Sequence, residues 1–566
     1  MKETDVAGEV SIDELMKHTA YLAEEDRESG SPGETRAMEY FRNFMEDLGL
    51  EVKIHEIENY ISLPIRASVR IISPIDKMLA CLTPSFSAST PPDGFEADLL
   101  WISGDEYPVD MHGKITVGEG LAMPATSWEL EQSGAAGQIW INWGDLPNNS
   151  IVSTIWGHPT PDTAHRLPKT PVVSIGRSEG KIIKDLCSKE PVRVCLKTEL
   201  KTGFMKVPLA VADLKGNVEP EKFVLFNGHV DSWHKGASDN GTANACILEA
   251  ARIMAKYRGQ LRRGIRFAWW SGHSQGRYSG STWYADYHWE DLYRNAIVHL
   301  NVDSLGCDGA TDYSEVECTA ECYDLGRTMI EHFTGQKPAY DRIGHSGDNS
   351  FWGIGMPTLF QLLSHTPPDP SNKKVIVKGL AWFWHTVADT IDKIDEDILL
   401  TDVRIYTAVL WRLCTDLVLP MNFVDVADEL IRLIQDLQQK AAAAFDLKPA
   451  MEKAKLFRTR AEALHQKTLE IKENGANDNA VILDHCLMKL SRILMPVNYT
   501  SAGRYDFDPA LSIPPLPRLQ PVAELAKMNP SDDSFKFLER KMVREQNRLC
   551  HALDEACELI TQTLKF

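Results

Sequence analysis

The sequence predicts an α/β fold built on a doubly wound, mostly parallel sheet, and three observations lead there. After Pro208 the chain carries near-continuous apolar runs, FVLFNGH, GIRFAWWSG, NAIVHLNVDS and PTLFQLL. Helical patterns such as TANACILEAARIMAKY separate the earlier runs, and turn residues close them. Apolar runs without polar alternation belong to strands covered on both faces, as in a parallel sheet between two layers of helices.

The remaining elements follow in chain order. Residues 11–50 read as two helices, SIDELMKHTAYLAEE and, after a Gly/Ser/Pro loop, TRAMEYFRNFMEDLGL with its closing Gly. EVKIHEIENY alternates like a strand. Between about residues 75 and 205 helical periodicity mostly fades. The short runs ADLLWIS, GKITVGEG, GQIWINWG and TPVVSIG take over between Pro, Gly and Asp turns, which predicts a β-rich inserted domain. From about Val424 the chain turns helical in long pieces, with a Pro-rich connector, DPALSIPPLPRLQPV, before the last. At 566 residues the chain exceeds one hydrophobic core. The expected layout is a main α/β domain from residues 1–74 and 206–420, an insert from 75–205 and a helical domain from 421–566.

Composition narrows the function classes. A hydrophobic fraction of 43% and a charged fraction of 25% are ordinary globular values. With 60 Lys and Arg against 80 Asp and Glu, the formal charge of -20 repels phosphate backbones and anionic lipid, so neither nucleic acid nor membrane is an expected partner. The acidic opening MKETDVAGEVSIDELMK lacks the basic start and apolar run of a secretory signal, and the expected location is cytoplasmic. The 11 cysteines form no CxxC pair, which suits reduced, mostly buried thiols.

Metal-capable side chains fall just past strand ends, where open α/β sheets bind ligands. FVLFNGHVDSWHKGASDNG places His229 and Asp231 after one strand and Asp239 before the next helix. A histidine ligand needs its second nitrogen held by an acceptor, which Asp231 is placed to supply. Asp239 equally suits an N-cap. His273 and Ser274 follow GIRFAWWSG, and Asp303 ends HLNVDS, where a turn-forming Asp is the plainer reading. His385 follows three large apolar residues and taken alone suits a core histidine.

Together, GHVDSWHKGASDNGTANA, RFAWWSG with GRYSGSTWYA, LNVDS and WHTVADTIDKID resemble, in order, the four signature segments of the M28 metallopeptidases. The insert resembles a protease-associated domain. The helical C-terminal region resembles the dimerisation domain of the glutamate carboxypeptidase and transferrin receptor branch. The resemblance implies a zinc-peptidase-like fold in which His229 and Asp303 bind one metal, Asp239 bridges two and His385 binds the second, with Asp231 orienting His229. Zinc suits such ligands, one or two ions per chain, and manganese or iron(II) share the ligand types.

The second segment departs from the family. Its two adjacent glutamates, the base and a ligand of the second metal, read His273 and Ser274 here. Histidine retains both chemistries, so His273 is either the replacement ligand or the base beside a single filled site. Serine is a poor zinc ligand. Trp384 stands where glutamate carboxypeptidases have a tyrosine that steadies the tetrahedral intermediate, and HSGDNSFW adds His345 and Asp348 as pocket candidates. The expected function is metal-dependent hydrolysis of an amide or related C–N bond in a small or short peptide-like substrate, by a homodimer. The alternatives are a transferrin-receptor-like scaffold without chemistry and a cyclase of the glutaminyl type.

Overall fold

The computed structural model describes residues 1–103, 110–367, 379–475 and 477–565. At the centre the Glu219–His229 strand runs parallel to Arg263–Trp270 on one side and to Ala296–Asn301 on the other, and Thr358–Leu359 continues the parallel set. Both faces are covered, as the unbroken apolar runs require. Phe226, Phe267 and Trp269 face the helices Ile12–Leu22, Pro32–Asp47, Ala243–Lys256 and Glu396–Thr415. Leu225, Ala268 and Trp270 face the opposite layer, with Tyr284, Leu292 and Phe351. Adjacent tryptophans thus serve opposite faces: Trp269 stacks on Phe41 at 4.9 Å, while Trp270 packs on Tyr284 at 5.2 Å.

Both N-terminal helices start at serine caps. Ser11 Oγ accepts the Glu14 N–H and Ser31 Oγ accepts the Glu34 N–H, with Pro32 in the first turn.

The Glu51–Ser73 strand pairs antiparallel with Arg193–Leu214 over almost the full length of both, Glu51 opposite Asp213 and Ser73 opposite Arg193. One end of the Arg193–Leu214 strand joins the main sheet beside Arg263–Trp270, and the other pairs with Phe95–Trp101 in the insert. The strand therefore runs through the expected 205/206 boundary. Gly203 and Pro208, which look like breaks in the sequence, sit inside this ribbon opposite Ile61 and Glu56.

The four strand-like runs of the insert form Phe95–Trp101, Ile115–Glu119, Gly137–Ile141 and Val172–Ile175, parallel to one another. Helices Pro124–Gln132 and Arg177–Cys187 accompany them, so the insert is α/β and not only β-rich. PATSWELEQ has no apolar stripe, which hides the first of these helices from a periodicity reading.

The C-terminal region folds as Phe423–Ala441, Lys448–Asn474, Asn477–Asn498 and Asp533–Thr563. They pack through residues at helical spacing such as Leu430, Ile434 and Leu437 against Phe457, Leu464, Leu549 and Leu553. All 11 cysteines are unbridged. Among the described residues no helix is long and apolar enough to cross a membrane.

Candidate metal centre

The three parallel strands deliver their loops to one edge of the sheet. His229 closes its strand, His273 follows the end of Arg263–Trp270, and Asp303 follows the end of Ala296–Asn301. Asp239 is non-helical (φ -115°, ψ 88°) just ahead of the Ala243–Lys256 helix, and its carboxylate caps nothing. Instead it bridges two imidazoles: Oδ1 lies 3.1 Å from His229 Nε2 and Oδ2 lies 3.0 Å from His385 Nε2. Asp303 Oδ1 stands 3.8 Å from the same His229 nitrogen. The order of the loops along the sheet has thus brought together His229, Asp239, Asp303 and His385.

Each histidine is oriented through its other nitrogen. His229 Nδ1 lies 2.7 Å from the main-chain carbonyl of Asp231, whose carboxylate is 3.8 Å away. The orienting role expected of the Asp231 carboxylate thus falls to its carbonyl, which fixes a tautomer equally well. The carboxylate instead accepts the N–H groups of Ser274 (2.7 Å) and His273 (3.3 Å) and the Ser29 hydroxyl (2.8 Å), tying the first loop to the second. His385 Nδ1 lies 2.9 Å from the Asn149 carbonyl of the insert, and Asn149 N–H donates back to the His385 carbonyl at 2.8 Å. Trp384 lies flat on His385, 3.4 Å between ring centres.

His273 is held more firmly than either. Its Nδ1 is 2.7 Å from Asp348 Oδ2, and Asp348 Oδ1 accepts the Ser281 hydroxyl at 2.6 Å. Ser281 continues to Ser350 at 2.8 Å, which accepts the Trp156 indole N–H at 2.9 Å. Asp348 is 1% exposed, so this carboxylate serves the network and not solvent. The His273 ring lies against His229 with centroids 3.8 Å apart and planes 11° apart. Ring nitrogens of both histidines and an Asp303 oxygen all lie within 4.8 Å of one another.

The other expected pocket residue, His345, stacks on Trp156 at 4.0 Å, with Nδ1 3.4 Å from the Leu511 carbonyl. Burial pushes its pKa down to about 4, so it is a neutral wall residue. Ser274 Oγ is buried without a hydrogen-bond partner.

Electrostatics favour charge separation in this cluster. Burial opposes the His229 imidazolium, but the Asp239 and Asp303 carboxylates outweigh it and hold the pKa well above the ordinary value. Burial likewise opposes the Asp239 carboxylate, and the two imidazoles outweigh it in the other direction. Burial also works against the Asp348 carboxylate, whose pKa is nonetheless lowered, chiefly by His273.

The donor set fits a zinc ion. Ligand atoms about 2.0–2.1 Å from a tetrahedral zinc sit roughly 3.3 Å apart, and the separations of 3.1 and 3.8 Å around His229 Nε2 bracket that spacing. His229 Nε2 is buried and faces the Asp239 and Asp303 carboxylates, so a cation bound between them would replace the proton that they now favour on the ring. Among the described residues the trio of acidic, histidine or cysteine groups close enough to share an ion is His229, His273 and Asp303, and neither Asp239 nor His385 is part of it.

Several contributors have little or no sequence signal. Buried Arg27 donates to the carbonyls of Val230 (3.1 Å), Lys235 (2.9 Å) and Gly236 (3.0 Å), pinning the loop between His229 and Asp239. Asp389 accepts the N–H groups of Ser238 and Asp239 at 2.9 and 3.1 Å, and burial pushes its pKa up to about 6. Asp389 lies in the WHTVADTIDKID segment and could have been found there. Nothing local marks Asn149, which is 236 positions from His385.

Comparison with known proteins agrees with this geometry. Residues 210–408 match the model of peptidase family M28. Aminopeptidase NAALADL1 of Rattus norvegicus is 25% identical over 327 residues, 52% of this chain and 44% of that one. Carboxypeptidase Q of Bos taurus is 27% identical over 282 residues, 46% of this chain and 57% of that one. The chain thus spans about half the length of these curated relatives. Among solved structures, the zinc aminopeptidase of Bacillus subtilis shares the fold, with a TM-score of 0.56 at 20% identity over 72% of this chain and 96% of that one. The match to the peptidase family M28 model thus spans residues 210–408, the region that carries His229, Asp239, Asp303 and His385 at the edge of one sheet.

Proposed function

We propose that the chain is a single-zinc amidohydrolase in which His273, held by Asp348, takes the place of the family's glutamate base. The observation that carries this reading is the 2.7 Å contact between His273 Nδ1 and the buried Asp348 carboxylate, beside His229 with Asp239 and Asp303 at 3.1 and 3.8 Å from its Nε2. His229, Asp239 and Asp303 would hold the ion. Bound there, zinc polarises the substrate carbonyl and makes a water acidic.

The chain's own residues supply the rest. With Nδ1 committed to Asp348, His273 accepts the proton of the attacking water at Nε2 and returns it to the departing amine. Asp348 fixes the tautomer that leaves Nε2 unprotonated at the start and steadies the imidazolium that follows. The ring stack favours this role over ligation. An imidazole donates along its own plane, so two rings 11° from parallel and face to face send their lone pairs side by side and not to one ion. A scaffold reading leaves the buried His229, Asp239 and Asp303 cluster and the Asp348 network without work to do.

The test is metal content together with turnover of a panel of dipeptides and N-acyl amino acids. One zinc per chain with hydrolysis lost in His273→Ala supports the reading, and hydrolysis untouched by that change refutes it. Pairing of two copies through the C-terminal helices is part of the proposal, supported by the exposed apolar residues Leu456, Leu469, Ile482 and Phe537. A monomer mass by light scattering at micromolar concentration would count against it.

A further inference from the structure

Beside the base lies a cation without a counter-ion. Arg277 follows His273 on the same loop and is half-buried. Among the described residues its guanidinium makes two long contacts, 3.3 Å to the Tyr278 hydroxyl and 3.4 Å to the Ala510 carbonyl, and its buried Nε has no hydrogen-bond partner. Among the described residues no carboxylate forms an ion pair with it, although acids outnumber bases 80 to 60 in the chain. Arg492, for comparison, donates to the carbonyls of Tyr293, Gly355, Leu292 and Ala296. An arginine fork placed by the fold and left short of acceptors is a receptor for a planar anion.

Its position relative to the chemistry is set by Tyr278. The guanidinium carbon lies 4.8 Å from the Tyr278 ring centre, and the His273 ring meets the same tyrosine edge-on at 4.9 Å. These two separations put the guanidinium within about 10 Å of the His273 imidazole. One residue of extended chain covers about 3.3–3.6 Å, so a carboxylate one or two residues from a scissile amide at His273 reaches Arg277.

The loop is also held against its own preference. Arg277 (φ 50°) and Tyr278 (φ 69°) are consecutive non-glycine residues in the left-handed region. Such conformations persist only where surrounding contacts impose them, and they cluster at ligand sites. Here the Gly157 N–H holds the Arg277 carbonyl at 2.7 Å, and Trp156 packs on Tyr278 at 4.3 Å. The insert thereby fixes the direction of the arginine.

Resting on the amidohydrolase reading, we infer that Arg277 is a specificity-determining residue that receives a free carboxylate of the substrate, so that the favoured substrates are N-acylated amino acids or short peptides cleaved near a terminal carboxylate. The probes are N-acetyl derivatives of the common L-amino acids, each as free acid and as carboxamide, with binding to the zinc-loaded protein followed by calorimetry. The best-bound acid should exceed its carboxamide by tenfold or more in affinity. Arg277→Gln should remove that preference while leaving carboxamide affinity within about twofold, and Arg277→Lys should retain part of it, because lysine offers charge without the fork. Circular dichroism and melting temperature of both variants establish that they fold, and if Arg277→Gln does not, Arg277→Lys alone carries the comparison. Equal affinity for acids and carboxamides in the wild type, or a preference unchanged in a folded variant, overturns the inference. A preference without hydrolysis of any amide would leave the arginine's role standing and bring down the hydrolase reading instead.

Discussion

The two sides of Asp239 are built differently. Toward Oδ1 stand His229, its buried Nε2 at 3.1 Å, and Asp303, with His273 stacked on His229 and held by its own buried carboxylate. Toward Oδ2 stands, among the described residues, His385, and Ser274, whose hydroxyl has no partner, stands where the resemblance expects a second glutamate. On the proposed reading the first side holds the metal with a new base and the second has lost a ligand; the rival reading is two metals with one damaged ligand.

The comparison can be broken or sharpened by substitution, beginning with the largest expected effect. His229→Ala removes the best-placed donor, and zinc content by mass spectrometry should fall to background along with all turnover. His273→Ala should lower kcat by about 10²–10⁴-fold, the usual range for a lost general base, with KM little changed. Asp348→Asn leaves the imidazole in place but removes the charge that orients it, and should lower kcat by about 10–100-fold, as supporting carboxylates commonly do. His385→Ala acts on the depleted side and should change zinc content and kcat by less than about threefold; a loss as great as that of His229→Ala would show that the second side holds metal after all. Restoring glutamates at His273 and Ser274 together should give no gain on simple peptides. A gain there would identify the site as a damaged peptidase.

Much of this was legible in the sequence because strands and loops announce themselves locally. The unbroken apolar runs ending in His229, Trp270 and Asn301 gave the parallel sheet, and the polar residues just past those ends gave the candidate donors. The departure at His273 and Ser274 was visible for the same reason. What was hidden depends on contacts between distant segments. Asp239 looked equally like a helix cap until two imidazoles were found on its carboxylate. The orienting group of His229 proved to be a carbonyl, which every residue has and no sequence pattern marks. Asn149 and Trp156 reach the site because the insert folds back onto it, and no periodicity reports that approach. The change of pattern near residue 205 and Pro208 suggested an end to the insert, whereas pairing over more than twenty residues carries one strand through both.

The measurement that bears most directly on the central claim is the zinc content of His273→Ala beside that of the wild type, both purified without added metal and analysed by plasma mass spectrometry. If His273 is the base and not a ligand, both proteins carry one zinc per chain. Two zinc ions in the wild type, or a variant stripped of its metal, would contradict the account.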